Sequence, residues 1–152
     1  LRDEAATVLK RVNLSNYLAI CVTNQPGIAK GFMSIADLIE IHNKMEWLLA
    51  ELNGSFFDDI FFCPHHPEKG FKGEIERYKI ECECRKPKPG MLLKAAEKHN
   101  IDLCSSFLIG DNIRDIKAGE SVEVTSFLLG KELSLKEHKV KYISEAIDHI
   151  LN

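Results

Sequence analysis

Three cysteines and one histidine, arranged in two closely spaced pairs, are the residues of this sequence best suited to bind a metal ion. One residue separates Cys63 from His65, and Cys82 and Cys84 repeat that spacing after an irregular stretch. Thiolate and imidazole are ligands that tetrahedral Zn²⁺ prefers, and four protein ligands leave no open position on the metal. The spacing therefore predicts a structural zinc site in a small loop at about residues 63–84.

Alternatives exist for parts of this cluster. His66 could supply the imidazole instead. The thiols could also be free, or Cys82 and Cys84 could form a disulfide, although a bridge between residues two apart would be strained. The remaining cysteines, Cys21 and Cys104, lie in or beside apolar strand patterns, so we expect both to be small buried hydrophobic residues.

Two cations directly follow the second cysteine pair, in the segment RKPKPG. Arg85 and Lys86 lie between Cys84 and the backbone-restricting Pro87 and Pro89. A metal bound at Cys84 would fix the chain on one side, and the prolines restrict it on the other. Lone surface cations usually point into solvent. Two immobilised ones suit a doubly charged anion, for which Arg offers a planar fork and Lys a compact charge, so we predict a phosphate-binding position.

Polar residues also end two of the predicted strands. Thr23 and Asn24 follow the apolar run in YLAICVTN, and Asp111 follows FLIG, with Asp115 four residues later. The carboxyl ends of parallel strands meet at one rim of an α/β sheet, where ligands bind. A strand-end aspartate is often only a helix N-cap. Beside the predicted phosphate position, however, Asp111 is suited to Mg²⁺, a hard cation that takes oxygen ligands and bridges to phosphate.

The elements that must position these residues alternate between helices and apolar strands. Ser34 and Asp37 form a capping-box pattern at the start of the longest helix. The alternation predicts an α/β fold with a Rossmann-like parallel sheet and helices on both faces. Helical spacing extends over residues 1–12, 34–52, 91–100, 112–120 and 142–152, and the strand-like runs are 17–24, 58–63, 105–111 and 124–130.

The composition limits the class of protein. With 152 residues, 45% of them hydrophobic, the chain is long enough for one domain with one core. The formal net charge of −3 is scattered, which argues against a surface for nucleic acid or acidic membranes. No apolar run is long enough for a membrane span and no signal-peptide pattern is present, so we expect a cytoplasmic protein, with a monomer as the default.

These motifs, in this order, resemble the haloacid dehalogenase (HAD) superfamily of phosphatases. The likeness extends over nearly the whole chain and is strongest for the D-glycero-D-manno-heptose 1,7-bisphosphate phosphatases and the related histidinol-phosphate phosphatases. CVTNQPGIAKG resembles the second superfamily motif, CRKPKPG the third and GDNIRD the fourth, while CPHHP with CECRKPKPG is similar to the subfamily's zinc loop. The resemblance implies a single HAD-like domain over residues 1–152.

The resemblance also implies a role for each motif residue. Thr23 and Asn24 would hold the transferring phosphoryl group. Lys86 would neutralise charge shared by the nucleophile and the phosphate, and Arg85 would contact the rest of the substrate. The implied metal ligands are Asp111 for a catalytic Mg²⁺, with Asp115 supporting the site, and Cys63, His65, Cys82 and Cys84 for a structural Zn²⁺.

One family motif is not found in residues 1–152. The first motif is a strand ending in Asp-x-Asp-Gly-Thr, which carries the nucleophilic and the acid/base aspartate. Neither Asp3 nor Asp58 follows an apolar strand, so neither fits. The resemblance implies that this strand, central between those ending at Thr23 and Asp111, lies upstream of residue 1 and that the chain as given is inactive. Asn112 also stands where many relatives carry a basic residue, which would remove one contact to phosphate.

The expected function of the complete protein is that of a Mg²⁺-dependent phosphomonoesterase, which hydrolyses a sugar phosphate through an aspartyl-phosphate intermediate. Heptose 1,7-bisphosphate, cleaved at the 7-phosphate, is favoured by the short zinc loop and RKPKPG. Histidinol phosphate is the alternative substrate. A second hypothesis is a non-catalytic, zinc-stabilised phosphate-binding module. The absent nucleophile motif favours the module, but the module leaves the phosphate motifs without a use.

Overall fold

A computed structural model describes residues 3–130 and 138–152 of the chain, as alternating helices and parallel strands. The pairing of the strands is parallel throughout, which confirms the predicted α/β fold. The helices are α1 (Asp3–Asn13), α2 (Ile35–Asn53), α3 (Gly90–His99), α4 (Ile113–Glu120) and α5 (Ile143–Leu151). The strands are β1 (Ile20–Asn24), β2 (Asp59–Cys63), β3 (Phe107–Gly110), β4 (Thr125–Leu129) and β5 (His138–Val140).

The strands form two parallel sheets. β1 pairs with β2, and β3, β4 and β5 form the second sheet in that order. Within the described residues, neither β1 nor β3 has a second ladder partner, so each presents one unpaired edge. The burial of a strand reflects the number of its partners. β4, which lies between two strands, is buried at Ser126, Phe127 and Leu128, whereas every residue of β1, which has one partner, is only half-buried. Phe107, at the start of β3, is 36% exposed.

Helices cover both faces of the second sheet. Phe127 of β4 packs in one cluster with Ala146 of α5, whereas the neighbouring Ser126 lies against Gly119 of α4. Successive strand residues point to opposite faces, so α4 and α5 lie on opposite sides of the sheet. Gly119 permits the close approach of α4, because a Cβ at this position would collide with Ser126 Oγ.

The first sheet is covered in the same way. Phe61 of β2 packs with Met91 and Ala95 of α3, which forms the core on one face. The neighbouring Phe62 points to the other face and makes an edge-to-face contact with His42 of α2, at 6.2 Å between ring centroids. The prediction of helices on both faces therefore holds for this sheet as well.

Strong local signals define the ends of α2, the longest helix. Ser34 Oγ accepts a hydrogen bond from Asp37 N at 3.1 Å, and Asp37 Oδ2 accepts one from Ser34 N at 2.7 Å, which confirms the predicted capping box. Gly54 ends the helix with a left-handed φ of 68°. No helix in the described residues combines the length and the apolar character needed to cross a membrane.

Four features differ from the sequence predictions. A 3-10 turn, Glu76–Tyr78, lies in the stretch interpreted as irregular. β5 was missed because a strand of three residues shows no recognisable period, and most of the predicted charged connection before it, residues 131–137, lies outside the described part. Cys104, expected to be buried, is exposed, because it lies in the turn before β3, where its sulfur contacts Glu123 Oε2 at 3.5 Å. Cys21, also expected to be buried, is only half-buried, because it lies in β1, which has one unpaired edge within the described residues. Desolvation raises the pKa of its thiol.

Candidate active site and metal centre

The register of the first sheet places the cysteine cluster beside the polar end of β1. Asn24 pairs with Cys63 at the carboxyl ends of β1 and β2, and Gln25 N donates to Cys63 O at 2.8 Å. Thr23 Oγ1 accepts a hydrogen bond from Gln25 Nε2 at 3.3 Å, so its hydroxyl proton remains available for another acceptor. The two motifs, far apart in sequence, therefore meet at one rim.

Four side chains of the predicted zinc loop form one compact group, Cys63, His65, Cys82 and Cys84, whose potential ligand atoms all lie within 4.8 Å of one another. Cys82 Sγ is 3.5 Å from the sulfurs of both Cys63 and Cys84. His65 Nδ1 is 3.6 Å and 3.3 Å from the same two sulfurs. Zn²⁺ with bonds of about 2.0–2.3 Å separates tetrahedral ligands by roughly 3.3–3.8 Å, so the donor types and these four distances fit zinc.

Two of these sulfurs are also close enough to be joined directly. Cys63 and Cys84 are in disulfide contact, which differs from the Cys82–Cys84 bridge considered from the sequence. We favour the metal, because a Cys63–Cys84 disulfide gives no reason for Cys82 and His65 to converge on the same point. Burial lowers the pKa of His65, which favours the neutral imidazole that a metal requires. His66, the alternative imidazole, lies outside the group.

Lys86 lies at the centre of the polar rim. Its Nζ forms an ion pair with Asp115 Oδ1 at 2.7 Å and donates to Val22 O at 2.8 Å. The side chains of Lys86 and Asp115 are 12% and 8% exposed, so solvent screens this pair only weakly. Because Val22 belongs to β1 and Asp115 to α4, the ammonium joins the ends of the two sheets. An ammonium has three donors, so one remains for a ligand.

Asn24 holds the backbone of Lys86. Its Oδ1 accepts from Lys86 N at 3.0 Å, and its Nδ2 donates to Lys86 O at 3.1 Å. Sequence reasoning expected the metal cluster and the prolines to fix this lysine but missed the role of Asn24. Only the fold brings together residues this far apart in the chain, and an asparagine at a strand end carries no local signal of such a partner.

The two aspartates of GDNIRD have different environments. Asp115 is buried, and its Oδ2 accepts from Asn112 N at 3.1 Å in a capping box at the start of α4. Gly110 is needed beside it, because a Cβ there would collide with Asp115 Cβ. Asp111 is exposed and is not the N-cap, which is Asn112. Within the described residues its carboxylate makes no hydrogen bond or ion pair, so it is available to a cation.

The predicted zinc loop, at about residues 63–84, packs against the loop that follows β1. Ile75 N donates to Ala29 O at 2.9 Å. Gly31 has a φ of +75°, and a Cβ on it would collide with the carbonyl group of Gly73. The predicted zinc loop therefore contacts the segment that follows β1 at Ala29 and Gly31.

We expect Gly31→Ala to destabilise the protein by about 1–3 kcal/mol, because alanine is strained at positive φ and would push the two loops apart. Gly27→Ala is the matched control in the same loop, since its Cβ would make only ordinary van der Waals contacts, with the Met33 side chain at 3.6 Å and Phe32 Cβ at 4.0 Å. Urea unfolding of both variants measures the difference. Equal stability of the two variants would contradict the tight docking of the loops.

The amino-acid sequence is similar to a known hydrolase family and to known phosphatases. The HAD-hydrolase-like family model matches residues 83–152. The D-glycero-beta-D-manno-heptose-1,7-bisphosphate 7-phosphatase of Pasteurella multocida is 39% identical over 149 residues, covering 95% of this chain and 78% of the relative. The enzyme of the same name from Vibrio cholerae is 44% identical over 126 residues. That match covers 83% of this chain and 63% of the relative, so the chain spans less than two thirds of some curated relatives.

Solved structures show the same fold. The D,D-heptose 1,7-bisphosphate phosphatase of B. bronchiseptica, crystallised with magnesium and phosphate, superposes with a TM-score of 0.80 at 27% identity, covering 97% of this chain and 82% of that one. A HAD-like phosphatase from Mesorhizobium loti gives a TM-score of 0.86 at 25% identity, covering 99% and 72%. The chain therefore belongs to the HAD-like hydrolases and, within them, to the family of the D-glycero-beta-D-manno-heptose-1,7-bisphosphate 7-phosphatases.

Proposed function

We propose that the complete protein hydrolyses the 7-phosphate of D-glycero-D-manno-heptose 1,7-bisphosphate. The observation that carries this proposal is the Lys86–Asp115 ion pair: Lys86 Nζ also donates to the carbonyl of Val22, the residue before Thr23, and Asp115 packs against Gly110, the residue before Asp111. These groups offer the cation, the donor and the metal ligand that phosphoryl transfer needs. The names of the relatives support the choice of substrate. We further propose that the protein acts as a monomer in the cytoplasm.

The geometry supports a separate task for each rim residue. The remaining N–H of Lys86 and the Thr23 hydroxyl proton would bind the transferring phosphoryl oxygens, where negative charge accumulates. Asn24 has both ends of its amide on the Lys86 backbone, so we infer that it positions the lysine instead of binding phosphate itself. Arg85 would bind a more distant part of the substrate.

Asp111 fits one position of a Mg²⁺ site. Carboxylate oxygen is the ligand that Mg²⁺ prefers, and Asp111 is exposed at the carboxyl end of β3. Mg²⁺ usually keeps several waters and is held by one or two carboxylates together with substrate phosphate, so Asp111 would be one of few protein ligands. When bound, Mg²⁺ would offset the charge of the phosphoryl oxygens. Dependence of activity on Mg²⁺ is part of the proposal.

We propose that the nucleophilic aspartate is supplied from outside residues 1–152, on a strand that pairs with the unpaired edges of β1 and β3. Asp115 cannot replace it, because its two oxygens are bound to Lys86 and Asn112. The nucleophile's carboxylate oxygen would attack phosphorus as the bond to the sugar oxygen breaks, and the leaving oxygen would take a proton from an acid residue. Water would then cleave the aspartyl phosphate and release phosphate. Residues 1–152 alone would be inactive.

The test compares phosphate release by the complete reading frame and by residues 1–152. We expect the complete protein to release one phosphate from heptose 1,7-bisphosphate faster than from histidinol phosphate, and chelation of Mg²⁺ to abolish this release. Faster turnover of histidinol phosphate would establish the alternative substrate. Binding of both compounds without turnover, by either protein, would favour a zinc-stabilised phosphate-binding module, which the absence of a nucleophile motif from residues 1–152 also supports.

A further inference from the structure

The backbone holds two members of the Cys/His group (Cys63, His65, Cys82 and Cys84) at the ends of regular elements. Cys63 is the last residue of β2, is fully buried, and has its carbonyl oxygen hydrogen-bonded at 2.8 Å to the segment that follows β1. Beside Cys84, Gly90 N at the start of α3 donates to the preceding carbonyl oxygen at 2.9 Å. His65 and Cys82 lie in the loop between these two fixed points.

The same four side chains fit two chemical states. Their potential ligand atoms all lie within 4.8 Å of one another, as a zinc site requires, and Cys63 and Cys84 are also in disulfide contact. The Cα atoms of these two cysteines are 5.6 Å apart, inside the range of about 4.4–6.8 Å that disulfides span. The change from one state to the other therefore needs little backbone movement. In a reducing compartment such as the proposed cytoplasm, a disulfide of this kind is transient and redox-sensing.

We propose that the Cys/His group is a redox switch, in which hydrogen peroxide joins Cys63 to Cys84 and the zinc is released. The half-buried Cys84 thiolate attacks one peroxide oxygen, which breaks the O–O bond, forms a sulfenic acid and expels hydroxide. The Cys63 thiolate then attacks the Cys84 sulfur, the S–O bond breaks and a second hydroxide leaves. Two protons from solvent convert both hydroxides to water. Peroxide thus accepts the two electrons that the two sulfurs give up.

Oxidation removes half of the metal ligands but preserves the position of Cys84. Only His65 and Cys82 remain as ligands, and a structural zinc ion needs four. The new disulfide still ties Cys84 to the end of β2, so Lys86, two residues later, keeps its place while the loop that carries His65 and Cys82 is released. A chelator removes the metal without forming this bond, so the two routes to zinc-free protein should give different rims.

The test treats the complete, zinc-loaded protein with one equivalent of hydrogen peroxide and follows zinc with a chromogenic chelator. We expect one zinc to be released for each pair of thiols lost. Mass spectrometry of a digest should find Cys63 joined to Cys84 and Cys82 as a free thiol, and a dithiol reductant with added zinc should restore the starting state. By calorimetry, inorganic phosphate should bind the oxidised protein within about twofold of the zinc form, and the reduced, chelated protein about tenfold more weakly.

Two variants separate the switch from general thiol oxidation. Cys104→Ser is the matched control, because it removes an exposed thiol outside the group, and the amount and rate of zinc release should not change. Cys82→Ser lacks one zinc ligand but keeps the pair that forms the bridge. Peroxide should therefore still join Cys63 to Cys84 in this variant and raise its Tm, because the disulfide replaces the lost tether.

Several results would overturn the switch. These are a purified protein without zinc, loss of thiols with the zinc retained, a bridge that includes Cys82, and sulfinic acids that no dithiol reverses. Equal phosphate binding by the oxidised and the chelated protein would reject the tether on Cys84. Zinc release with the Cys63–Cys84 bridge, in a protein that binds no phosphate in any form, would support the switch and reject the proposed phosphatase site.

Discussion

Lys86→Met is expected to lower kcat for phosphate release by a factor of about 10²–10³ in the complete protein, the size of effect seen when one preorganised charge-stabilising donor is removed. Methionine keeps much of the hydrophobic stem but cannot donate to a phosphoryl oxygen. The loss should be in kcat more than in KM, because the charge that Lys86 neutralises grows as the phosphoryl group is transferred.

Stability must be measured in the same samples. Loss of the ammonium leaves Asp115, 8% exposed, without its cation, which costs about 3–5 kcal/mol when a buried pair is broken. Lys86→Arg is therefore a second variant, which keeps the charge but changes the donor geometry at Val22 O and Asp115. Lys88→Met is the matched control, because Lys88 is 43% exposed and pairs with the exposed Glu83. A folded Lys86→Met protein with the kcat of the Lys88→Met protein would rule out a catalytic role for Lys86.

Most of the fold could be predicted from the sequence, because most of its helices and strands carry their own local signal. The capping box at Ser34, the helical spacing of α2 and the apolar runs of β1 and β3 are decided by near neighbours in the chain. The rim could be predicted by one geometric rule, since polar residues that follow parallel strands meet at one edge. This rule predicts that Thr23 and Asp111 lie on the same side of the protein.

Contacts between distant segments were not predictable in this way. The clamp of Asn24 on the Lys86 backbone and the contact of Lys86 Nζ with Val22 O join residues more than 60 positions apart. The hydrogen-bond partner of an asparagine at a strand end depends on which loops the sheet brings together.

The unpaired edges of β1 and β3 show a different limit of prediction from the sequence. Composition and periodicity identify strands but do not reveal how many of them a sheet requires. The expectation of a further central strand came from the family resemblance, and the half-buried residues of β1 are the physical feature that agrees with it. The Lys86–Asp115 pair joins the two sheets at their carboxyl ends, so a strand between them would end beside the ammonium.

Cys82→Ser is expected to remove bound zinc and to destabilise the protein by at least about 3 kcal/mol, because a structural zinc site contributes its binding energy to folding. For a chain of this size the loss corresponds to a decrease in Tm of about 6–12 °C. Cys104→Ser, which changes an exposed thiol outside the cluster, is the control and should keep both the metal and the Tm.

Cys82 is the informative position because it separates the two chemistries open to this cluster. A zinc ion uses Cys82 as fully as Cys84, so serine at either position should be equally damaging, and a chelator should lower the Tm while a reductant should not. A Cys63–Cys84 disulfide does not involve Cys82, so Cys82→Ser would then be silent and a reductant would destabilise the protein. Metal analysis that finds one zinc per chain, lost in Cys82→Ser and kept in Cys104→Ser, would establish the metal. Because Arg85 and Lys86 directly follow Cys84, loss of the zinc should also weaken phosphate binding at the rim.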